Sequence, residues 1–86
     1  MAEGSPTVLV ADDEAGMRES VARALRREGL QVTAVEDGAA ALDALRRAPV
    51  DLLVADLRMP GLDGLELLRA AKLVAPDTEE IGRAHV

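Results

Sequence analysis

Two short runs dominate what this chain can fold into. Thr7-Val8-Leu9-Val10-Ala11 and Leu52-Leu53-Val54-Ala55 are apolar at almost every position, and each stops at aspartate, Asp12-Asp13 after the first and Asp56 after the second. A strand with one wet face alternates polar and apolar side chains. A strand apolar throughout is covered on both faces, as in a parallel sheet packed between helices. The aspartates then stand at the carboxyl ends of buried strands, a costly place for charge unless the charge has a use.

The segments between the runs fit that architecture. From Glu14 to Glu28, Met17, Val21 and Leu25 recur every four residues beside Ala22 and Ala24, among charged positions, which predicts an amphipathic helix. Gly29 follows where a helix C-terminus favours a residue without a side chain. Leu30 to Val35 is β-branched and alternating, a second strand. Asp37-Gly38 turns the chain into a helix over 39–47, with Ala41, Leu42 and Leu45 inward, which Ala48-Pro49 ends. The third strand runs from Asp51 to Ala55. After the loop from Leu57 to Asp63, a third helix spans Gly64 to Val74, its buried side expected to hold Leu65, Leu68 and the stem of Lys72.

This βαβαβα order calls for a parallel sheet with helices on its faces. Right-handed crossovers place the second strand on one side of the first and the third strand on the other. The order 2-1-3 has a switch point between strands one and three, where such sheets bind ligands. Neighbouring strands lie about 4.8 Å apart, so Asp12, Asp13 and Asp56 are expected to meet in one crevice.

At an effective dielectric near 20, two unit charges about 5 Å apart repel by roughly 3 kcal/mol. A hard dication relieves this, and carboxylates with carbonyl and water oxygens suit Mg²⁺. One carboxylate can then act as a nucleophile toward a phosphoryl group, forming an acyl phosphate. Taken singly, the residues have plainer readings. Asp13 alone reads as a helix cap, Asp56 as a turn residue, Met59-Pro60-Gly61 as a tight turn and Asp63-Gly64 as a helix start. For Asp63 the cap remains preferred. The conjunction favours chemistry for Asp13 and Asp56.

Composition narrows the partners. Among 86 residues, sixteen acidic against ten basic give a net charge of −6, the wrong sign for a nucleic-acid or anionic-membrane surface. With no Phe, Tyr or Trp there is no stacking platform for bases, and with no cysteine there is no disulfide or thiol chemistry. Met1 to Pro6 reads as a flexible leader without signal-peptide order, no apolar run reaches membrane-spanning length, and the expected location is cytoplasmic.

Val8-Leu9-Val10-Ala11-Asp12-Asp13-Glu14, followed by Asp56-Leu57-Arg58-Met59-Pro60-Gly61-Leu62-Asp63-Gly64, resembles the receiver domain of two-component response regulators. Glu36-Asp37-Gly38 with Ala41-Leu42, and Pro49-Val50-Asp51, extend the likeness over residues 7–78. The resemblance implies a flavodoxin-like, doubly wound α/β fold. It implies that Asp56 accepts a phosphoryl group from a sensor histidine kinase, with Mg²⁺ as cofactor. Asp13 is similar to the direct metal ligand, Asp12 to its partner acting mainly through water, and Arg58 to the residue whose backbone carbonyl is a ligand. Met59, Pro60, Gly61 and Gly64 then shape the loop beneath the site. The expected role is phosphorelay control of an attached or partner output, transcription regulation foremost, by a domain that is a phosphoacceptor and not an enzyme. The family's hydroxyl residue at the end of strand four and its lysine at the end of strand five would lie beyond Thr78.

Two other functions fit less well. A Mg²⁺-dependent haloacid-dehalogenase-type phosphatase places a second aspartate two positions after its nucleophile, and here that position is Arg58. A pseudo-receiver usually lacks one of the acidic positions, and here all three are present.

The tail departs from the pattern. Glu79-Glu80-Ile81-Gly82-Arg83-Ala84-His85-Val86 lacks the apolar run of a buried strand, so residues 79–86 are expected to be a disordered or non-native tail. Glu80 to Val86 can be back-translated as GAG-ATC-GGA-AGA-GCA-CAC-GTC, which resembles a DNA sequencing adapter whose next codon in frame is a stop. On that reading the receiver is incomplete, with strands four and five missing and no independent activity for the truncated chain. The sole histidine, His85, then carries no functional weight.

Overall fold

The computed structural model of the chain describes residues 4–59 and 64–83. The elements alternate: β1 (Thr7–Ala11), α1 (Ala15–Arg27), β2 (Gln31–Val35), α2 (Gly38–Arg47), β3 (Leu52–Asp56), α3 (Gly64–Val74) and β4 (Glu79–Arg83). The sheet is parallel throughout, in the order β2-β1-β3-β4. Val10 lies beside both Ala34 and Val54, which makes β1 an interior strand.

The two apolar runs account for two separate packing layers. Leu9, Ala11, Leu53 and Ala55 face one way and pack with Ala41 and Leu45 of α2 and with Leu67 and Ala71 of α3. Val8, Val10 and Val54 face the other way, against Val21 and Leu25 of α1. Enclosing a leucine such as Leu9, Leu53 or Leu67 contributes about 1.5–3 kcal/mol. Both faces are covered because right-handed crossovers carry α1 to one side and α2 to the other.

Helix ends follow local chemistry. Glu14 caps α1, its carboxylate accepting from the Gly16 amide at 3.1 Å and the Met17 amide at 2.8 Å. The helix ends through Gly29 at φ +86°, with the Leu30 amide reaching back to the Leu25 carbonyl. Asp37 caps α2 by accepting from the Ala40 amide at 2.7 Å. At the leading edge, Gln31 hydrogen-bonds to the carbonyls of Ser5 and Pro6, which ties part of the expected leader to β2.

The structure corrects two expectations. The tail forms a fourth strand through Arg83. Its backbone pairs with β3: the Glu79 amide donates to the Asp51 carbonyl at 3.0 Å, and the Leu57 amide donates to the Arg83 carbonyl at 2.8 Å. Thr78 anchors the approach, its hydroxyl donating to the Val50 carbonyl at 2.6 Å. A strand on the edge needs backbone partners on one side only, and its side chains can stay wet, as those of Glu79 and Ile81 do. The sheet order is therefore 2-1-3-4, and Ala84, His85 and Val86 lie outside the described residues.

The second correction concerns α3. Its inward stripe is Gly64, Leu67 and Ala71, with Leu68 partly covered, whereas Leu65 is half exposed and Lys72 is exposed. Gly64 lies hard against the end of β3, and that contact sets the rotation of the helix.

Candidate functional site

The register that builds the sheet also builds the site. Ala11 pairs with Ala55, so Asp12 and Asp56, one residue further along each strand, come together at the carboxyl edge between β1 and β3. Both are buried, at 1% exposure each, while Asp13 is exposed. One carboxylate oxygen from each of Asp12, Asp13 and Asp56 lies within 4.8 Å of the others.

Short-range bonds hold these groups in place. Asp56 Oδ1 accepts from the Arg58 amide at 3.0 Å, which fixes the carboxylate and starts the turn after β3. Asp12 Oδ1 accepts from the Glu14 amide at 2.9 Å, and the Asp12 carbonyl accepts from Arg18 Nη1 at 2.9 Å. Because Glu14 caps α1, the plainer reading of Asp13 as the cap does not hold, and its carboxylate lies with the cluster.

The loop residues divide. Met59 is buried in the layer beneath the site, at 3% exposure. At Gly64 a Cβ would lie 2.5 Å from Leu57 Cα and 2.7 Å from the Asp56 carbonyl carbon, so only glycine allows α3 to begin there. Pro60, Gly61 and Asp63 lie outside the described residues.

Two basic residues at the site carry no motif. Arg18 follows Glu14 by one helical turn, which a helical projection of α1 could have flagged. Arg83 Nη1 lies 3.5 Å from Asp12 Oδ2, and only the pairing of β4 brings it there.

Carboxylates grouped this closely suit a hard cation. An octahedral Mg²⁺ holds oxygens at about 2.1 Å, so opposite ligands stand about 4.2 Å apart. The three oxygens lie within 4.8 Å of one another, close enough for small side-chain adjustments to bring them to one ion, and the donor set is all oxygen. The residues fit Mg²⁺. No helix among the described residues is long and apolar enough to cross a membrane.

Comparison with known proteins agrees with this geometry. The chain is 40% identical over 70 residues to the response regulator receiver protein CpdR of Brucella abortus, covering 81% of this chain and 58% of that protein. It is 46% identical over 65 residues to the DNA-binding transcriptional regulator NtrC of Escherichia coli, covering 76% of this chain and 14% of the relative. Among solved structures, the response regulator TrrA of Thermotoga maritima, in complex with Mg²⁺ and BeF, superposes with a TM-score of 0.87 at 32% identity, covering 92% of this chain and 69% of that one. The chain thus spans 58% or less of these two curated relatives. Residues 8–81 match the response regulator receiver domain, and the chain belongs to that family, not to the phosphatases held as the alternative.

Proposed function

We propose that Asp56 is the phosphoacceptor of this receiver and that Asp12, Asp13, Asp56 and the backbone carbonyl of Arg58 hold Mg²⁺ beside it. The single observation that supports this most is the three-carboxylate cluster at the switch point, with Asp56 buried and oriented by the Arg58 amide. An Asp56 carboxylate oxygen attacks the phosphorus of a phosphohistidine on a sensor kinase. The P–O bond forms as the P–N bond breaks, and the departing imidazole nitrogen keeps the electron pair and takes a proton from solvent. The product is an acyl phosphate on Asp56.

The chain's own residues orient and enclose. Asp56 Oδ1 is kept by the Arg58 amide, which limits rotation of the nucleophile. By likeness to the family, Asp13, which is exposed, binds the metal directly, and Asp12, which is buried, acts mainly through water. Met59 is buried, and Gly64 lies against the backbone of Asp56 and Leu57. Bound Mg²⁺ supplies positive charge that offsets the acidic pocket for an incoming phosphoryl group. The role follows as a phosphoacceptor that controls an attached or partner output, in the cytoplasm, without turning over a substrate of its own.

A small phosphodonor such as acetyl phosphate tests the assignment. The expected result is a mass increase of one phosphoryl group at Asp56, abolished by Asp56→Asn and by EDTA. Labelling that survives either treatment would sink it.

A further inference from the structure

β4 brings a cation to the acidic crevice. Arg83 ends the strand opposite Asp56 in register, and its carbonyl accepts from the Leu57 amide at 2.8 Å. Side chains alternate along a strand, so Arg83 shares a face with Asp56 on β3 and Asp12 on β1. Its guanidinium Nη1 reaches 3.5 Å from Asp12 Oδ2, with the Arg83 side chain 31% exposed and that of Asp12 1% exposed. Nη1 itself is enclosed by protein and makes no hydrogen bond.

Charge-assisted hydrogen bonds of guanidinium to carboxylate run at about 2.7–2.9 Å. The longer approach means that attraction of opposite charge, not directional bonding, holds the group at Asp12. Arg18 Nη1 donates to the backbone carbonyl of the same aspartate at 2.9 Å.

We propose that Arg83 is a tethered counter-cation of the crevice, competing with Mg²⁺ for Asp12, so that metal uptake displaces the guanidinium. The proposal rests on the reading of Asp12, Asp13 and Asp56 as the metal site. It concerns this chain's own Arg83, whatever the origin of its codon. A guanidinium at Asp12 and a dication in the same crevice repel each other, with or without a water between Asp12 and the ion. Removing the guanidinium therefore favours the ion.

Calorimetric titration of MgCl₂ into the full chain and three variants tests this. Arg83→Gln should bind Mg²⁺ about three- to fivefold more tightly, the upper part of the range expected of a partly exposed ion pair. Arg83→Lys keeps the charge and should stay near the unsubstituted affinity. Arg27→Gln, an equal charge change in the last turn of α1, should shift it less than about twofold, as screening over that distance requires. Unchanged or weaker binding in Arg83→Gln, an equal gain in Arg27→Gln, or a gain in Arg83→Lys matching that of Arg83→Gln would overturn the proposal. Independently of any variant's folding, the Arg83 guanidinium resonance should move when the unsubstituted chain is saturated with Mg²⁺, and a stationary signal also overturns it. Absence of Mg²⁺ binding in every chain would instead show that the metal-site reading itself is wrong.

Discussion

Gly64 and Asp56 meet backbone to backbone: the first residue of α3 lies so close to the end of β3 that a side-chain carbon on Gly64 would overlap the Asp56 peptide. The position of the candidate nucleophile is thus set by a residue eight places further along, through space that only a missing side chain leaves open. Gly64→Ala should destabilise the fold by about 1–3 kcal/mol, the usual cost of overpacking. Urea unfolding reads this as a lower midpoint. Phosphoryl labelling of Asp56 should fall as well, because the backbone that must give way is that of Asp56. An unchanged midpoint would mean that the helix start yields without cost.

Asp13→Ala should weaken Mg²⁺ binding more than Asp12→Ala. Asp13 is exposed and close to both other carboxylates, whereas Asp12 is committed to the Glu14 amide and faces Arg83. Loss of Asp12 also removes the Glu14 amide's acceptor, so it should cost about 1 kcal/mol of stability on top of its effect on the metal. Titration of both variants alongside urea unfolding separates the two effects. A larger loss of affinity in Asp12→Ala would reverse the assigned roles.

Magnesium should stabilise the folded chain, because the three carboxylates converge only when β1 and β3 are paired. A ligand that binds the native state alone adds RT ln(1 + [L]/Kd), about 2.7 kcal/mol at one hundred times Kd. The urea midpoint should therefore rise with MgCl₂, and the rise should shrink in Asp56→Asn. Sodium chloride at matched ionic strength should produce a smaller rise that is indifferent to this substitution.

Thr78→Val should loosen β4. Thr78 is 4% exposed, and its hydroxyl donates to the Val50 carbonyl at 2.6 Å. Valine keeps the shape and removes the bond, a loss of about 1 kcal/mol. Hydrogen exchange should then quicken at the Glu79 and Leu57 amides, which pair β4 with the rest of the sheet, while the Val10 and Val54 amides change less. Equal quickening everywhere would point to global instability instead.

The course of the sheet through β1, β2 and β3 was written in the chain itself. Unbroken apolar runs must be covered on both faces, and crossover handedness then determines the strand order. The aspartates that close those runs mark the switch point, since they stand where the apolar runs stop, at the carboxyl edge between β1 and β3. β4 was invisible to that reasoning because an edge strand is held by main-chain bonds, which Glu79-Glu80-Ile81-Gly82-Arg83 form as well as an apolar run does. The inward face of α3 could not be chosen from periodicity alone. Leu65 and Leu67 are both apolar, and contact between Gly64 and the end of β3 turned Leu67 toward the core. The approach of Arg83 to Asp12 joins residues far apart in sequence, so it follows from strand register and side-chain alternation, which exist only once the sheet has formed.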